Sequence, residues 1–420
     1  MTTRQLARFT VNLTVLGITL ILMAGAGELF LRVVGHQQFK RGHQKLFVRH
    51  DSRLGWSKIP GKQARHVTIE YDIEEHLNSK GIRGPEYSYT KDPDESRVVM
   101  LGDSFVEGYS VEFDQTSSQV LERILTNRTG DKYTVINGGT GGYSTDQEYL
   151  YFKYELGQYR PDLTILMFYS NDVVGNSRDH HYRGNKPVFQ LYDGKLALSN
   201  VPVPKPAAST VDEGQAQESL FSRTKQWLFA NSRLYGLVRK VVTGNYHLHL
   251  LAIKLGLADP PGTPEDPIPV PDELKVWARS YDEDTKRAWQ LTEALIKHMK
   301  QAVESTGSRF LVYYIPTSAA IYDDEWQATK KMYRMSDSEW NMNRVAFELK
   351  AICKRNGIDF IDPTPQFLAE ADRLRRHNGR VYYPLDRHWT PEGHRLTAEI
   401  LADHIDGGHD LAGISDEKSE

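Results

Sequence analysis

The residues of this sequence that can do nucleophilic chemistry follow or flank short apolar runs. The run "VVMLGDS" ends in Gly-Asp-Ser, so Ser104 stands at the tip of an expected buried strand. A serine hydroxyl is a poor nucleophile at neutral pH and needs a neighbouring base. The segment "YYPLDRHWTPEGH" contains an acid and a base, Asp386 and His388. Ser104 is therefore a candidate nucleophile, and a helix cap is the alternative.

Two further strand ends carry polar groups. "NGGTGGYS" offers glycine amides, and "YSND" offers the side-chain amide of Asn171. Each feature alone has an ordinary explanation: a flexible turn, an Asx turn, or, for His388, a packed or surface histidine beside a helix start. Four such features in one order on one repeating pattern favour a site over four coincidences.

The elements that would position these residues alternate between strands and helices from residue 97 onward. We expect strands at 97–104, 132–139, 163–172, 309–316 and 358–365, and helices at 114–127, 144–156, 282–305, 338–355 and from 391. Because most of the strands are apolar throughout, they predict a largely parallel sheet that is covered on both faces. Ligands bind such sheets at the carboxyl ends of the strands.

The rest of the chain surrounds this pattern. We assign residues 1–34 to an N-terminal anchor, 35–96 to an irregular β-containing lead-in, and 97–172 and 281–408 to the two parts of the α/β domain. Residues 173–280 form an insertion with two proline-rich stretches around a helical segment, and 409–420 form a flexible tail. So long an irregular insertion suggests a functional cap.

Composition excludes several classes of protein. The chain has 420 residues and a net charge of −3, which gives no electrostatic support for nucleic-acid binding. Its single cysteine, Cys353, excludes an internal disulfide. The histidines in "DHHYR" and "HLH" lack cysteine or acidic partners at metal-ligand spacing, so we expect no metal and no cofactor.

The N-terminus contains an uncharged run, "FTVNLTVLGITLILMAGAG", about as long as a bilayer-spanning helix. A cleaved signal peptide is the alternative, because Ala24 and Ala26 form a small-residue pair compatible with cleavage. We favour an uncleaved anchor, since "ELFLRVVG" continues the apolar helix. The basic residues on both flanks leave the orientation open. This helix, taken with the family resemblance described below, implies a single-pass protein of a bacterial inner membrane, with the remaining chain on the periplasmic side.

The order of these motifs resembles the SGNH, or GDSL-type, hydrolase family over about residues 97–405. The resemblance implies a flavodoxin-like three-layer sandwich with Ser104 as nucleophile, His388 as base and Asp386 as orienting acid. It also implies an oxyanion hole made of the Ser104 and Gly142 amides and the Asn171 side chain. Gly139 and Gly141 are close competitors of Gly142.

One departure concerns the acid and the base. Many family members separate them by two residues, whereas "DRH" separates them by one, and a tryptophan follows. This D-x-H-W ending resembles relatives that acetylate bacterial exopolysaccharides. In an extended segment, residues two apart project to the same side, so Asp386 still reaches His388. Asp362 is a weaker candidate for the acid, and we expect Asp103 and Asp172 to be structural.

The resemblance predicts a serine-dependent ester hydrolase that acts on O-acyl, chiefly acetyl, groups of a cell-envelope or secreted glycan. A polysaccharide O-acetyltransferase with the same triad is the alternative, and it would need an acyl donor from a membrane partner. A non-catalytic glycan-binding or assembly protein is the alternative from another class.

Overall fold

The structure is a computed structural model. It describes residues 3–34, 46–68, 70–181, 184–205 and 269–406, together with residues 224, 227, 228, 231–244, 248, 251, 252, 254 and 255. Contacts divide the chain into two units. One unit contains Met1–Leu46, Val67–Ile69 and Thr210–Asp259, and the other contains Phe47–His66, Glu70–Ser209 and Pro260–Glu420.

The strands and helices alternate as the sequence predicts from residue 95 onward. The strands are β1 (Val48–Asp51), β2 (Gly55–Lys58), β3 (Gln63–Val67), β4 (Asp72–His76), β5 (Glu95–Gly102), β6 (Lys132–Gly139), β7 (Leu163–Phe168), β8 (His180–His181), β9 (Gly184–Asn185), β10 (Val188–Tyr192), β11 (Lys195–Ser199), β12 (Arg309–Tyr314) and β13 (Asp359–Ile361). The α-helices are α1 (Thr3–Val34), α2 (Ser104–Glu107), α3 (Ser117–Thr129), α4 (Thr145–Tyr154), α5 (Asp172–Asn176), α6 (Arg233–Gly244), α7 (Asp272–Lys275), α8 (Glu283–Glu304), α9 (Ser318–Ile321), α10 (Asp323–Tyr333), α11 (Arg344–Arg355), α12 (Thr364–Arg375) and α13 (Pro391–Asp406). Short 3₁₀ helices cover Phe113–Gln115 and Leu156–Tyr159.

The first unit contains α1 and α6. Within α1, the segment Arg8–Val33 has a mean hydropathy of 1.9 and is long and apolar enough to cross a membrane, a test that a signal sequence also passes. Near its end, the Glu28 carboxylate accepts hydrogen bonds from the Ser232 hydroxyl at 2.9 Å and the Leu234 amide at 3.0 Å. This carboxylate therefore caps the start of α6.

The second unit is built on a five-stranded sheet in the order β13–β12–β7–β5–β6, and all neighbouring strands are parallel. Gly102 at the end of β5 pairs with Gly139 at the end of β6. The carboxyl ends of these strands thus lie together at one edge of the sheet. The predicted fold, a flavodoxin-like parallel sheet between helices, is confirmed.

Each face of this sheet buries its own core. Val99, Leu101 and Ile136 belong to one core, which α4, α8 and α11 cover. Val98 and Met100 belong to the other core, which α3, α12 and α13 cover. Alternate residues of a strand point to opposite faces, so a strand that is apolar throughout serves both cores.

Several predicted boundaries were wrong by a few residues. β5 ends at Gly102 rather than at residue 104, because Asp103 already caps α2. The helix expected at 114–127 begins at Ser117, where the Thr116 hydroxyl accepts the capping hydrogen bond. The helix expected at 338–355 begins only at Arg344.

Two longer helices of the second unit, α10 and α12, escaped the sequence analysis, as did the short helices α2, α5, α7 and α9. α10 buries only Trp326 and Lys330, and α12 buries only Phe367 and Ala371, so neither shows a broad apolar stripe. The insertion contains an unpredicted hairpin, β10–β11, at 188–199. Much of its predicted helical segment, its second proline-rich stretch and the tail at 409–420 lie outside the described residues.

Candidate active site

Ser104 is held at the carboxyl end of β5, an inner strand of the sheet, by a very short helix. The Asp103 carboxylate accepts a hydrogen bond from the Phe105 amide at 2.8 Å and so caps α2, of which Ser104 is the first residue. Gly108, with a φ of 67°, ends this helix after one turn. Ser104 thereby lies between the ends of the two neighbouring strands, β7 and β6.

Ser104, His388 and Asp386 form one hydrogen-bonded chain. The Ser104 Oγ and His388 Nε2 atoms are 2.8 Å apart, and the His388 Nδ1 and Asp386 Oδ1 atoms are 2.6 Å apart. An ionised Asp386 can only accept, so it fixes the proton on Nδ1 and leaves the Nε2 lone pair for the serine hydroxyl. This is the geometry that a serine nucleophile needs.

The single residue between the acid and the base adopts an unusual conformation. Arg387 has a φ of 66°, in the left-handed region, and its amide donates to the Tyr383 carbonyl at 2.9 Å. The expectation of an extended Asp386–His388 segment was therefore wrong, because the chain turns here. The turn brings the two side chains together in spite of the short spacing.

The other candidate acid lies elsewhere in the hydrogen-bond network. Asp362 accepts hydrogen bonds from the amide of Thr364 at 3.0 Å and from its hydroxyl at 2.5 Å, at the start of α12. Asp362 precedes Pro363, the N-cap residue of α12, so these contacts fix the turn that leads into the helix. Asp386 is the carboxylate that contacts His388.

The glycine loop after β6 distinguishes between the three candidate amides. The Gly139 amide donates to Asn137 Oδ1 at 3.1 Å, and the Gly141 amide donates to Glu107 Oε2 at 2.7 Å. Gly142, with a φ of 77°, donates its amide to none of the described residues. Of the three, Gly142 is thus the one whose N–H remains for a ligand, and its conformation requires glycine.

Asn171 lies at the third strand end, directly before α5. Its side chain makes no capping hydrogen bond, its buried Oδ1 atom has no hydrogen-bond partner among the described residues, and its Nδ2 atom donates to none of them. The Ser104 amide is likewise without a partner among the described residues. Three donors at the ends of β5, β6 and β7 are therefore uncommitted, as an oxyanion hole requires.

Family models match the two halves of this site. The model of the GDSL-like lipase/acylhydrolase family matches residues 100–335, more than half of the chain. The chain belongs to this family. The model of the SGNH hydrolase-like domain of the acetyltransferase AlgX matches residues 276–419, which include Asp386 and His388.

Solved structures that resemble this chain are distant in sequence. An acetyl xylan esterase is 12% identical and aligns over 74% of this chain and 99% of its own, with a TM-score of 0.36. A lipase/acylhydrolase from Enterococcus faecalis is 11% identical over 74% of this chain and 96% of its own, with a TM-score of 0.36. None of the curated proteins matches the sequence significantly.

In this GDSL-family chain, the charges around the triad change its acid–base properties. Burial alone lowers the pKa of His388, but the hydrogen bond and the charge of Asp386 outweigh burial, so that the pKa is raised above 6.5. Burial raises the pKa of Asp103 to about 6. His388 must be neutral to accept a proton, so activity should rise as the pH exceeds its raised pKa.

In and around the helices that follow Gly142 and Asn171 lies a cluster of buried charges. Asp146, Glu148, Asp172 and Lys186 are each at most 1% exposed. Lys186 Nζ donates to Asp146 Oδ2 at 2.6 Å and to the Gly175 carbonyl at 2.7 Å. Burial and the neighbouring carboxylates raise the pKa of Glu148 and Asp172 well above their usual values. Lys186 therefore ties the helix that follows Asn171 to the helix that follows Gly142.

The lead-in and the insertion also contact the site, which the sequence analysis missed. From the lead-in, Lys58 Nζ donates to the Gly139 carbonyl at 2.5 Å, and Arg83 Nη2 donates to the Val111 carbonyl at 2.7 Å beyond the nucleophile turn. From the insertion, His181 Nδ1 lies 3.3 Å from the Gly142 carbonyl oxygen. The sequence gives little indication of these contacts. Lys58 and Lys186 are distinguished only as charged residues within apolar or turn-rich segments.

Proposed function

We propose that the protein is a serine-dependent ester hydrolase that acts through an acyl-serine on O-acetyl groups of a glycan. One observation carries the proposal: Ser104 Oγ, both ring nitrogens of His388 and Asp386 Oδ1 lie in one chain with spacings of 2.8 and 2.6 Å. Membership of the GDSL-like acylhydrolase family supports the same reaction class.

In the first half-reaction, the Ser104 oxygen attacks the carbonyl carbon of the ester, and its proton moves to His388 Nε2. The carbonyl oxygen becomes an oxyanion, which the Ser104 and Gly142 amides and the Asn171 side chain stabilise. The intermediate then collapses and breaks the bond to the alcohol. His388 gives its proton to this leaving alcohol, and an acetyl group remains on Ser104.

In the second half-reaction, neutral His388 takes a proton from the acceptor, whose oxygen attacks the acyl-serine carbonyl. A second oxyanion forms and collapses, and the proton returns to the Ser104 oxygen. Water as acceptor releases free acetate. Asp386 keeps its charge throughout and stabilises the imidazolium that forms in each half.

Transfer to a sugar hydroxyl is the second candidate. The match to the AlgX acetyltransferase domain over residues 276–419 supports it, since that segment contains Asp386, His388 and Trp389. The triad chemistry is unchanged, and only the acceptor differs. The acyl donor would then come from a membrane partner.

We further propose that α1 anchors the chain in a bacterial inner membrane with the catalytic domain on the periplasmic side. The apolar segment Arg8–Val33 supports this proposal. Mass spectrometry of the intact mature protein tests this proposal. If the anchor is uncleaved, the measured mass includes residues 1–34. A mass that begins after Ala26 would identify a signal peptide instead.

The experiment that tests the function uses the full-length chain in detergent, an aryl acetate donor and a panel of acetylated and deacetylated bacterial oligosaccharides. Mass spectrometry measures the partition between free acetate and acetylated sugar. Ser104→Ala should abolish product formation, and Ser305→Ala, at an exposed position, should leave it unchanged.

The outcomes separate the function classes. Free acetate that depends on Ser104 supports the hydrolase, and acetylated sugar that depends on Ser104 supports the transferase. The proposal fails if the wild type forms no Ser104-dependent product and Ser104 does not react with a fluorophosphonate probe. The protein would then be a glycan-binding or assembly protein.

A further inference from the structure

The acid of the triad makes contacts that the Ser–His–Asp chemistry does not require. Its outer oxygen, Asp386 Oδ2, accepts a hydrogen bond from the Tyr71 hydroxyl at 3.0 Å. Its inner oxygen, Oδ1, accepts from the Tyr109 hydroxyl at 3.2 Å as well as from His388. Both carboxylate oxygens are thus held by tyrosine hydroxyls.

The backbone beneath this carboxylate is held too. Glu70 accepts a hydrogen bond from the Leu385 amide at 2.8 Å and another from the Asp386 amide at 2.6 Å, one with each carboxylate oxygen. Bidentate capture of two successive amides fixes the turn before Arg387. Glu70 and Tyr71 are neighbours in sequence, 315 residues or more before the groups that they contact.

Tyr71 is itself fixed by packing. It is 7% exposed, and its ring lies 5.3 Å from the ring of His66 and 5.3 Å from the ring of Tyr383. The ring of His66 in turn lies 5.6 Å from the ring of Tyr109. A packed ring has few accessible rotamers, so its hydroxyl stays in one place.

We propose that Glu70 and Tyr71, from the lead-in, form an acid clamp: two positioning residues that orient the Asp386 carboxylate toward His388. The inference takes the role of Asp386 from the proposed function. Glu70 fixes the backbone of the acid, and Tyr71 fixes the rotation of its carboxylate.

The short spacing between acid and base explains why a clamp is needed. Arg387 holds a left-handed conformation, and the Tyr71 hydroxyl donates to Asp386 Oδ2 from a distant part of the chain. Without that donor the carboxylate can rotate away from His388 Nδ1. An imidazole that is poorly oriented loses part of its capacity as a base.

The test compares Tyr71→Phe with Tyr383→Phe in the full-length protein. Both changes remove one hydroxyl from the same aromatic cluster, but the Tyr383 hydroxyl donates to the Ser110 carbonyl at 3.4 Å and not to Asp386. Tyr71→Phe should lower kcat about tenfold with KM unchanged, the loss expected for one hydrogen bond to a charged group. Tyr383→Phe should leave kcat unchanged.

A double-mutant cycle shows whether Tyr71 acts through the acid. In an Asp386→Asn background, Tyr71→Phe should have no further effect on kcat, because the carboxylate that it orients is absent. If Tyr71→Phe costs the same factor in both backgrounds, its role is structural and the clamp is overturned. Glu70→Gln, which keeps one acceptor oxygen, serves as the second variant. It should lower kcat in the wild-type background and have no further effect in the Asp386→Asn background.

The titration of His388 tests the clamp without any substrate. NMR of histidines labelled at ring Cε1, with the His388 signal identified by its loss in His388→Gln, gives the pKa directly. Since Asp386 raises this pKa, Tyr71→Phe should lower it, and Tyr383→Phe should not. An unchanged pKa in Tyr71→Phe contradicts the clamp. The clamp and the proposed function can fail separately. If Tyr71→Phe lowers the pKa of His388 but the wild type forms no Ser104-dependent product, the clamp is supported and the proposed function fails.

Discussion

On the side of the site that carries Asp386 and His388, tyrosine hydroxyls, packed aromatic rings and the Glu70 carboxylate hold the candidate acid and base. On the side that carries Gly142 and Asn171, a buried ion pair and several buried carboxyls lie in and around the helices that follow these two residues. We call these the acid–base side and the oxyanion side. Tyr71 illustrates the first kind of support, and Lys186 illustrates the second.

The difference has a physical consequence. A tyrosine hydroxyl keeps its proton across the neutral range, so the hydroxyl support of the Asp386 carboxylate does not change with pH in that range. A buried carboxyl with a raised pKa is protonated in the folded chain at a pH where the unfolded chain has lost that proton. The buried carboxyls of the oxyanion side therefore make stability fall as the pH rises from about 4.5, whereas the raised pKa of His388 makes the acid–base side do so only as the pH rises from about 6.5.

The largest expected effect tests the ion pair of the oxyanion side. Lys186→Met removes the cation that contacts Asp146, and both side chains of this pair are fully buried. Loss of one partner from a buried pair typically costs about 3–5 kcal/mol in the free energy of unfolding. Chemical denaturation at pH 7 measures it. Lys286→Met, from an exposed pair with Glu283, should cost less than about 1 kcal/mol. Equal costs for both variants would mean that charge burial does not support the oxyanion side.

A smaller effect separates chemistry from support on the same side. Asn171→Ala removes one proposed oxyanion donor and should lower kcat about 10²- to 10³-fold, with little change in KM or in stability. Asn343 is a matched control, because it also occupies a helix N-cap position without a side-chain cap hydrogen bond. Asn343→Ala should retain wild-type kcat. An Asn171→Ala protein with wild-type kcat would remove Asn171 from the oxyanion hole.

The pH dependence of stability sharpens the comparison further. Burial, followed by the charges of Asp172, Asp103 and Asp146, raises the pKa of Glu148, and Lys186 opposes them. A raised carboxyl pKa means that stability falls as the pH rises from the unfolded value of about 4.5 through the folded one. Glu148→Gln imitates the protonated acid, so its melting temperature should exceed that of the wild type at pH 7.5.

This advantage of Glu148→Gln should shrink as the pH falls toward 4.5. Glu86 is the control with the opposite sign, because hydrogen bonds from the Ser79 amide and hydroxyl lower its pKa. Its contribution is present above the unfolded pKa and is lost as the pH falls, so Glu86→Gln should be slightly less stable at pH 7.5. Melting curves at several pH values test both signs. A pH-independent difference for Glu148→Gln would show that this carboxyl is ionised in the folded chain.

Local patterns explain which parts of the fold the sequence predicts. β6 occupies 132–139 as expected, because an apolar run stands between a helix C-cap glycine and a glycine turn. α8 begins within one residue of its expected start, because Asp282 caps it and an apolar stripe follows. Both signals lie within a few residues of the element that they define.

The supports of the site have no such signal. Glu70 and Tyr71 contact a turn more than 300 residues away, and nothing in "TIEYDIEEH" marks either residue as a neighbour of Asp386. The choice between Gly139, Gly141 and Gly142 likewise required the hydrogen bond from the Gly141 amide to Glu107. Spacing predicts the residue types of a site, whereas the contacts that orient them depend on the folded chain.

The smallest expected effect concerns the backbone of the acid–base side. Arg387→Gly relieves a left-handed conformation that costs an ordinary residue about 1–2 kcal/mol, while glycine loses about 0.5–1 kcal/mol of chain entropy. Its free energy of unfolding should therefore rise by about 0–1.5 kcal/mol. Arg334, with a φ of 55° at the end of α10, is the matched control, and Arg334→Gly should gain a similar amount of stability.

Only Arg387→Gly should also lower kcat, by a few-fold, because a more mobile turn then joins Asp386 to His388. If Arg387→Val, a β-branched residue in the same turn, were as stable and active as the wild type, this turn would not depend on the left-handed conformation.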